Sequence, residues 1–495
     1  MNVDSGIAPV LPMPIKAMAY RHQTEAFNFV CEMFGLMPEG GAKEFPARSA
    51  GCALLMEMGT GKTLTTIAVT GALLQAGRIC RVLIVAPLSI LGVWEEEYRK
   101  FADFPYCLAV LTGNSAKKLD TLRHMTGSAL QVVVVNYESA WRLEKDLTAW
   151  RPDLIVADEG HKIKTHNITA SKAMHRLGAK AGFRLLLTGT VITNKAVDVF
   201  SQYKFLNSSI FGQSFYAFRN RYFDMVGYGN HTPVLKKSME NELMERMHRI
   251  AFRATKAECL DLPEAVDILR QVDLEPGALR IYRALVKESY AELSGGTEAP
   301  VAVTAANILT RLLRLSQLTG GFIGNDENSV VEQVSAAKLA ALEDILEGAV
   351  AEGEKLVIIA RFIPEIKAIC SLLEKRGLRY SCITGGVKNR DEQVSQFQND
   401  PEVMAFVGQI ATAGLGITLT AASTMVFYSL DYSMSNFEQA KARIHRVGQR
   451  MPCSYLYLVA RGTVDEKVLA ALKDKADLAR LLVDDYRSGR NPFAA

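Results

Sequence analysis

The chain has 495 residues, of which 49% are hydrophobic and 22% are charged. This length exceeds what one ordinary hydrophobic core uses and predicts two to four domains. No apolar run reaches the roughly 18 residues that span a bilayer, and we expect no secretory signal at the N-terminus. A formal net charge of +4 neither indicates nor excludes a local basic groove for nucleic acid.

Short apolar runs alternate with longer helical patterns in both halves of the chain. They barely alternate with polar residues, which is typical of parallel strands buried on both faces. The pattern predicts an α/β fold with an N-terminal lobe (1–196), a C-terminal lobe (336–486) and a tail (487–495). The runs lie at 52–56, 81–87, 130–137, 153–159 and 183–190, and then at 355–362, 379–385, 403–410, 424–430 and 453–460.

The interval 197–335 differs from its flanks. It has few continuous apolar runs but shows helical periodicity, as in LMERMHRIAFRATKA and ILTRLLRLSQLTG. A Gly/Pro-marked break, LSGGTEAP, predicts a loop between two helices. We therefore predict a helical insert that links the lobes and offers a surface for a protein partner.

The segment MEMGTGKT follows the first predicted strand and opens a helical stretch. Glycine at 59 and 61 lets backbone N–H groups surround phosphate oxygens, and the helix N-terminus favours the same negative charge. In such a loop Lys62 reaches the β- and γ-phosphates, and the Thr63 hydroxyl ligates Mg²⁺. The segment therefore predicts an ATP site lined by Met58, Gly59, Thr60, Gly61, Lys62 and Thr63.

An acidic pair, Asp158 and Glu159, ends the predicted strand at 153–159. A carboxylate at this edge of a parallel sheet can hold Mg²⁺, which is the role we predict for Asp158. Glu159 is then placed to activate the attacking water as a general base. The loop and the acidic pair together predict Mg²⁺-dependent hydrolysis of ATP.

A basic segment in the C-terminal lobe, QAKARIHRVGQR, carries Gln439, Arg443 and Arg446 at offsets of zero, four and seven. This spacing predicts one face of a single helix. Arginines delivered to a nucleotide from a second lobe stabilise transition-state charge. We therefore predict that the lobes share one catalytic site and that closure of the lobes on ATP is the working stroke.

These segments resemble the superfamily 2 helicases, and specifically the Swi/Snf-related DNA translocases, over about residues 18–475. The resemblance implies two tandem RecA-like lobes and an adenine contact for Gln23. Val191 and Thr193 depart from the usual third motif, and the fifth motif is closer to that of annealing and fork-remodelling members. The similar segments are YRHQ (20–23), APLSILGVWEEEYRKF (86–101), VNYE (135–138), DEGHKIK (158–164), LTGTVITN (187–194), FRATKAECLDLPE (252–264), QIATAGLGITLTAAS (409–423), the run 439–449 and GTVDEKVLAAL (462–472).

The resemblance also implies a groove that follows one nucleic-acid backbone. Contacts of this kind bind phosphate without reading sequence, so we expect sequence-independent binding that salt weakens. For single residues, ordinary packing at strand ends is an equal alternative. The residues that the resemblance assigns to the groove are Pro87, Ser89, Asn136, Tyr137, Arg361, Gly386, Thr412 and Gly414.

Three functions are compatible with these features. The first is an ATP-dependent translocase on double-stranded, or branched, DNA. The second is a strand-separating or branch-migrating helicase, and the third is a protein-remodelling switch that uses the insert as its docking surface. For a compact chain of this kind we expect a location in the cytoplasm of a bacterial or phage-infected cell, with no membrane partner.

Overall fold

The computed structural model describes residues 9–36, 48–189, 196–226, 232–259, 262–293, 305–324, 331–385, 387, 389–410, 417–474, 478, 481–482, 485 and 491–493. The chain divides into two compact units, Met1–Asp261 and Leu262–Ala495. Across these described ranges, no helix is both long enough and apolar enough to cross a bilayer.

Unit 1 alternates strands and helices. A 3₁₀ turn, Leu88–Ile90, precedes its third helix, and a second, Gly160–Ile163, follows its fifth strand. The helices and strands are α1 (Arg21–Met33), β1 (Gly51–Met56), α2 (Lys62–Gln75), β2 (Arg81–Ala86), α3 (Leu91–Phe101), β3 (Tyr106–Val110), α4 (Ser115–Arg123), β4 (Leu130–Asn136), α5 (Tyr137–Arg142), α6 (Glu144–Trp150), β5 (Leu154–Asp158), α7 (Thr169–Gly178), β6 (Phe183–Thr188), α8 (Val199–Leu206), α9 (Phe215–Tyr222), β7 (Phe223–Val226), β8 (Thr232–Leu235), α10 (Glu240–His248), β9 (Ala251–Ala254) and α11 (Lys256–Cys259).

The main sheet of unit 1 has the strand order β3-β4-β2-β5-β6-β1-β9. Every neighbouring pair in it is parallel. The central strands are buried along their whole length because helices cover both faces, which is why their sequences are continuous apolar runs. Segments that follow these strands therefore meet at one carboxyl edge of the sheet.

Unit 2 repeats this organisation with its own sheet, ordered β10-β17-β16-β13-β15-β14 and parallel throughout. The elements are β10 (Ala265–Val272), α12 (Pro276–Leu293), α13 (Ala305–Thr319), β11 (Phe322–Gly324), β12 (Val331–Gln333), α14 (Ala337–Glu352), β13 (Leu356–Ala360), α15 (Ile363–Lys375), β14 (Arg379–Ile383), α16 (Arg390–Asn399), β15 (Val403–Gln409), β16 (Thr424–Phe427), α17 (Met434–Lys441), β17 (Cys453–Ala460) and α18 (Val464–Lys473).

The predicted α/β class, with two successive parallel sheets, is confirmed. All ten apolar runs singled out in the sequence contain a strand. The strands β3, β9 and β10 were not predicted from the sequence. Each lies at an edge of its sheet. Charged residues interrupt the apolar pattern in β9 (AFRA) and β10 (AVDILRQV), whereas β3 (YCLAV) is apolar throughout.

The interval 197–335 does not form one separate insert, because the boundary between the units falls within it. Its first part supplies β9, which pairs with β1, and its second part supplies β10, which pairs with β17. LMERMHRIAFRATKA is therefore not a continuous helix, since pairing with the edge of β1 overrides its helical periodicity. The predicted loop at 293–300 lies almost entirely outside the described residues.

A buried polar group ties helix α13 into unit 2. The ammonium of Lys338 donates to Asp465 at 2.6 Å, and the Thr319 hydroxyl donates to the other oxygen of that carboxylate at 2.7 Å. These side chains come from α14, α18 and the end of α13. The predicted tail is also partly packed, because Phe493 is fully buried against the same core.

Candidate nucleotide site and nucleic-acid contacts

The phosphate loop joins β1 to α2 in unit 1. Gly59 and Gly61 adopt φ values of 85° and 92°, in the left-handed region that a side chain disfavours. A Cβ at Gly61 would also overlap the side-chain amide of Gln23. Lys62 is the first residue of α2, and Thr63 lies in the first turn of that helix. The strand, loop and helix of the predicted ATP site are therefore present.

Hydrogen bonds within the loop hold its shape. The Thr60 side chain is fully buried, and its hydroxyl donates to the Glu57 carbonyl at 2.7 Å. The Lys62 ammonium donates to the carbonyls of Met56 at 2.8 Å and Glu57 at 3.2 Å. Lys62 is thus held at the loop, where a phosphate can replace these carbonyls as its partner.

Gln23 lies against this loop, as a nucleotide contact requires. Its amide nitrogen donates to the Thr60 carbonyl at 3.1 Å, and its amide oxygen accepts from the Tyr20 backbone N–H at 3.0 Å. His22 lies 2.7 Å from the same Thr60 carbonyl through Nε2. These contacts place the start of α1 beside the phosphate loop, and the adenine contact of Gln23 stays a prediction.

Asp158 ends β5 at the same carboxyl edge and is 7% exposed. Its Oδ2 accepts from the indole N–H of Trp94 at 3.0 Å, and its Oδ1 accepts from the backbone N–H of Glu159 at 2.9 Å. Burial, together with the charge of Glu159, raises the pKa of Asp158 to about 7, and the charge of Lys62 opposes this shift. A divalent cation favours the ionised carboxylate, so this environment fits Mg²⁺.

Glu159 has an unusual backbone for a residue with a side chain, with φ 51° in the left-handed region. Such conformations cost of order 1–3 kcal/mol and persist where the surroundings enforce them. Gly160 follows in close contact with Leu186, where a Cβ would overlap that side chain. The Glu159 carboxylate lies 3.2 Å from His161 Nδ1 and is only 13% exposed. The loop therefore holds the general-base candidate beside His161.

Replacement of Lys62 by alanine removes the ammonium from the phosphate loop. We expect nucleotide affinity to fall about 10- to 100-fold, because a hydrogen bond to a charged group contributes about 1.5–3 kcal/mol. Turnover should be lost. Titration with a fluorescent ATP analogue and a phosphate-release assay measure the two effects. Lys117→Ala, at an exposed site on α4, is the matched control, and wild-type affinity in Lys62→Ala would contradict the assignment.

The prediction that Gln439, Arg443 and Arg446 share one helix face is wrong. Gln439 lies in α17, but that helix ends at Lys441 and both arginines follow it in turns. The carbonyl of Arg443 accepts a hydrogen bond from the backbone N–H of Leu419 at 2.9 Å. This tertiary bond takes the acceptor that a helix continued to Val447 would use, and the segment that carries Arg446 is not helical.

Gln449 completes the turn that carries Arg446. Its buried amide nitrogen donates to the Ala422 carbonyl at 2.8 Å, and Gly448 before it has φ 102°. Arg446 donates from Nη1 to the Ile417 carbonyl at 3.3 Å. The arginine is therefore positioned by a loop of unit 2 and not by helical periodicity.

The predicted nucleic-acid contacts of unit 1 lie on adjacent strands. Pro87 follows β2 and precedes the 3₁₀ turn that contains Ser89, whose side chain lies outside the description. Asn136 ends β4, directly opposite Ala86 in the register of the two strands. Pro87 and Asn136 are thus brought together at the carboxyl edge, as a shared groove requires.

Tyr137 requires a correction, because its side chain does not face a groove. It is 9% exposed, and its hydroxyl donates to the Asp158 carbonyl at 2.7 Å. Burial raises the pKa of this phenol well above its usual range, and the nearby carboxylate of Asp158 adds to the effect. The Tyr137 side chain is therefore hydrogen-bonded to the loop that carries Asp158 and Glu159, here called the acidic loop, and does not make the predicted contact with nucleic acid.

In unit 2, Arg361 follows β13 and is held by its own unit. Its guanidinium stacks on the Tyr432 ring at 3.8 Å and lies 3.6 Å from the Asp431 carboxylate. The Arg361 side chain is 16% exposed, so a phosphate could contact only this small exposed part of it. Gly386, Thr412 and Gly414 lie outside the described residues, as do 190–195 of the predicted third motif.

Two residues near the candidate site, Trp94 beside Asp158 and Glu57 in the phosphate loop, were assigned no role from the sequence. Trp94 reads as part of the apolar face of α3 with Leu91 and Tyr98, and its role as a hydrogen-bond donor appears only in three dimensions. The N–H of a buried indole usually donates a hydrogen bond, and this tendency is the one feature of the sequence that could have indicated the role of Trp94. Glu57 was also missed, and its carboxylate accepts the Lys256 backbone N–H at 2.9 Å.

Two family models match the chain. The SNF2-related domain matches residues 17–320, and the helicase conserved C-terminal domain matches residues 337–448. Among solved structures, the Sulfolobus solfataricus SWI2/SNF2 ATPase core in complex with dsDNA is similar at 27% identity and a TM-score of 0.46, over 98% of this chain and 96% of that one.

Curated relatives are similar at lower identity. The DNA repair and recombination protein RDH54 of Saccharomyces cerevisiae (strain JAY291) is 26% identical over 88% of this chain, and the RAD54-like protein of Drosophila persimilis is 25% identical over 100% of it. The chain spans only 52% and 67% of the lengths of these two proteins. With tandem RecA-like units and the SNF2-related match over more than half its length, the chain belongs to the SNF2-related family.

Proposed function

We propose that this chain is a translocase that moves along double-stranded DNA and uses ATP hydrolysis to drive the movement. The observation that carries the proposal is the common edge of the unit 1 sheet. Asn136, Pro87 and Asp158 follow or end the neighbouring strands β4, β2 and β5, in that order. A nucleic-acid backbone bound at the first two would lie beside the hydrolytic carboxylate.

The charges and helix ends on this part of the edge suit phosphate. Helix α3 begins there, so its positive N-terminal end would favour a bound anion. Lys118 reaches the start of α5 and donates to the Ser139 hydroxyl at 2.6 Å. Such contacts hold the backbone and read no bases, so we propose sequence-independent binding.

DNA as the partner is further supported by the names of the relatives. Both curated relatives are named as DNA repair and recombination proteins. We propose DNA, duplex or branched, as the partner and the cytoplasm as the compartment. A protein partner for the 197–335 interval stays a prediction, since the interval belongs to two different units.

In the proposed hydrolysis each residue has one task. Lys62 binds the terminal phosphates, and Thr63 with Asp158 would hold Mg²⁺, which screens phosphate charge when bound. Glu159 takes a proton from the attacking water. We propose that Arg446, assisted by Arg443 and Gln439, stabilises charge on the transferred phosphoryl group from unit 2. Use of both units by one nucleotide would make hydrolysis a mechanical step.

The test compares the ATPase rate with duplex DNA, single-stranded DNA, RNA, forked DNA and four-way junctions. We expect duplex or junction DNA to stimulate most, with little dependence on sequence. The logarithm of the apparent binding constant should fall linearly with the logarithm of the salt concentration, with a slope near −0.9 for each phosphate contacted. Displacement of a third strand from a triplex checks movement along the duplex.

Other outcomes identify the alternative functions. Stronger stimulation by RNA would overturn the proposal. Efficient unwinding of a forked duplex would show a strand-separating or branch-migrating helicase. An ATPase rate that no nucleic acid changes, but that a protein raises, would show a protein-remodelling switch.

A further inference from the structure

Asp158 receives hydrogen bonds from two separate elements of unit 1. The indole N–H of Trp94, on α3, donates to its side-chain Oδ2 at 3.0 Å. The hydroxyl of Tyr137, at the start of α5, donates to its backbone carbonyl at 2.7 Å. Both donors are buried, with exposures of 1% and 9%. One residue is thus held from two directions by neutral aromatic donors.

The same two elements lead directly to the proposed nucleic-acid contacts. Helix α3 begins immediately after the 3₁₀ turn that follows Pro87, and Trp94 lies one turn into it. Helix α5 begins immediately after Asn136, and Tyr137 is its first residue. Each donor is therefore joined by a few residues of regular backbone to one proposed contact with nucleic acid.

Packing between these points leaves little room for independent movement. Strand β2, which leads to Pro87, lies between β4 and β5, with Ala86 paired to Asn136 and Val85 paired to Ala157. The strands are buried along this stretch except at Asn136, the half-buried last residue of β4. Close-packed interiors transmit small displacements, so a shift of α3 or α5 reaches Asp158 through the donor it carries.

We propose that Trp94 and Tyr137 are positioning residues that couple nucleic-acid binding at 87–90 and 136 to the carboxylate of Asp158. The indole N–H fixes the orientation of the carboxylate, and the phenol fixes the backbone from which that carboxylate extends. Nucleic acid at the edge would set both donors in the geometry that suits the bound cation. This inference rests on the proposed function, because it needs nucleic acid at these contacts.

The coupling is tested by variants that lose the hydrogen-bond donor but keep an aromatic ring at the position. Trp94→Phe deletes the indole N–H, and Tyr137→Phe deletes only the hydroxyl. We expect the ratio of DNA-stimulated to basal kcat to fall at least about fivefold in each variant, the lower end of typical couplings between sites. The DNA concentration for half-maximal stimulation should stay within about twofold, since neither side chain touches DNA.

The chain offers a matched control for each variant. Tyr203→Phe removes a buried hydroxyl that donates to the Met247 carbonyl at 2.9 Å, a bond of the same kind elsewhere in unit 1. Trp150→Phe removes a buried indole nitrogen that, in the described part of the chain, makes no hydrogen bond. Both controls should keep the wild-type ratio, which separates coupling from loss of packing.

Three results would overturn the inference. A wild-type ratio in both variants would show that the donors do not couple the sites. Equal loss of basal and stimulated rates would show that they only support the fold. A wild-type protein that no nucleic acid stimulates would overturn the proposed function together with this inference, whereas the first two results leave the proposed function intact.

Fluorescence gives a readout that needs no nucleotide. The chain has three tryptophans, so Trp141→Phe/Trp150→Phe leaves Trp94 as the sole indole reporter. Duplex DNA should shift the emission of Trp94, although this side chain is only 1% exposed and cannot contact DNA directly. Unchanged emission at concentrations where anisotropy of labelled duplex shows binding would contradict the coupling.

Discussion

Glu159→Gln should bind ATP with wild-type affinity and hydrolyse it about 10²- to 10⁴-fold more slowly, the contribution typical of a general base. The amide has the shape of the carboxylate but takes no proton from water. Loss of the neighbouring charge also removes one of the causes that raise the pKa of Asp158, so binding of Mg²⁺ should not weaken. Single-turnover hydrolysis and equilibrium binding of a fluorescent ATP analogue separate the two effects.

The control for this variant is Glu96→Gln, on the exposed side of α3. It makes the same chemical change away from the acidic loop and should leave turnover unchanged. A rate for Glu159→Gln within about threefold of wild type would be far below the range for a general base and would remove this role from Glu159.

Arg446→Ala should leave ATP binding nearly unchanged and lower kcat about 10³- to 10⁵-fold, as expected when a charge-stabilising arginine is lost. Lys62 and Asp158 belong to unit 1 and Arg446 to unit 2, so this pattern would mean that both units act on one nucleotide. Arg446→Lys should restore little, because an ammonium lacks the planar, forked donors of a guanidinium.

Arg450→Ala is the control, since Arg450 is exposed and lies four residues further along the same segment. Thermal unfolding should be measured for both variants, because Arg446 also donates to the Ile417 carbonyl. Unchanged turnover in Arg446→Ala would show that unit 2 does not contribute this arginine to hydrolysis. A lower kcat together with an equally lower affinity for ATP would assign Arg446 to binding.

The strands and the phosphate loop were predictable because their determinants are local. A strand buried on both faces must be apolar at nearly every position, so continuous apolar runs in the sequence predict β2, β4 and β5. The phosphate loop needs positive φ at Gly59 and Gly61, and glycine is the residue that adopts it freely. Lys62 and Asp158 follow from their places beside these elements.

Only the tertiary structure decided which residues meet at the acidic loop and where the elements at the edges end. The segment after Lys441 does not continue as a helix to Arg446, and Leu419, which is distant in sequence, takes the Arg443 carbonyl that such a helix would use. The donors of Trp94 and Tyr137 likewise reach Asp158 because strands β4, β2 and β5 lie side by side in the sheet. Hydrogen bonds between distant segments leave no periodic signal along the chain. The sequence by itself therefore determined the two α/β units and placed the candidate hydrolytic residues beside their strands, and tertiary packing determined how the edge that we propose for nucleic acid is joined to them.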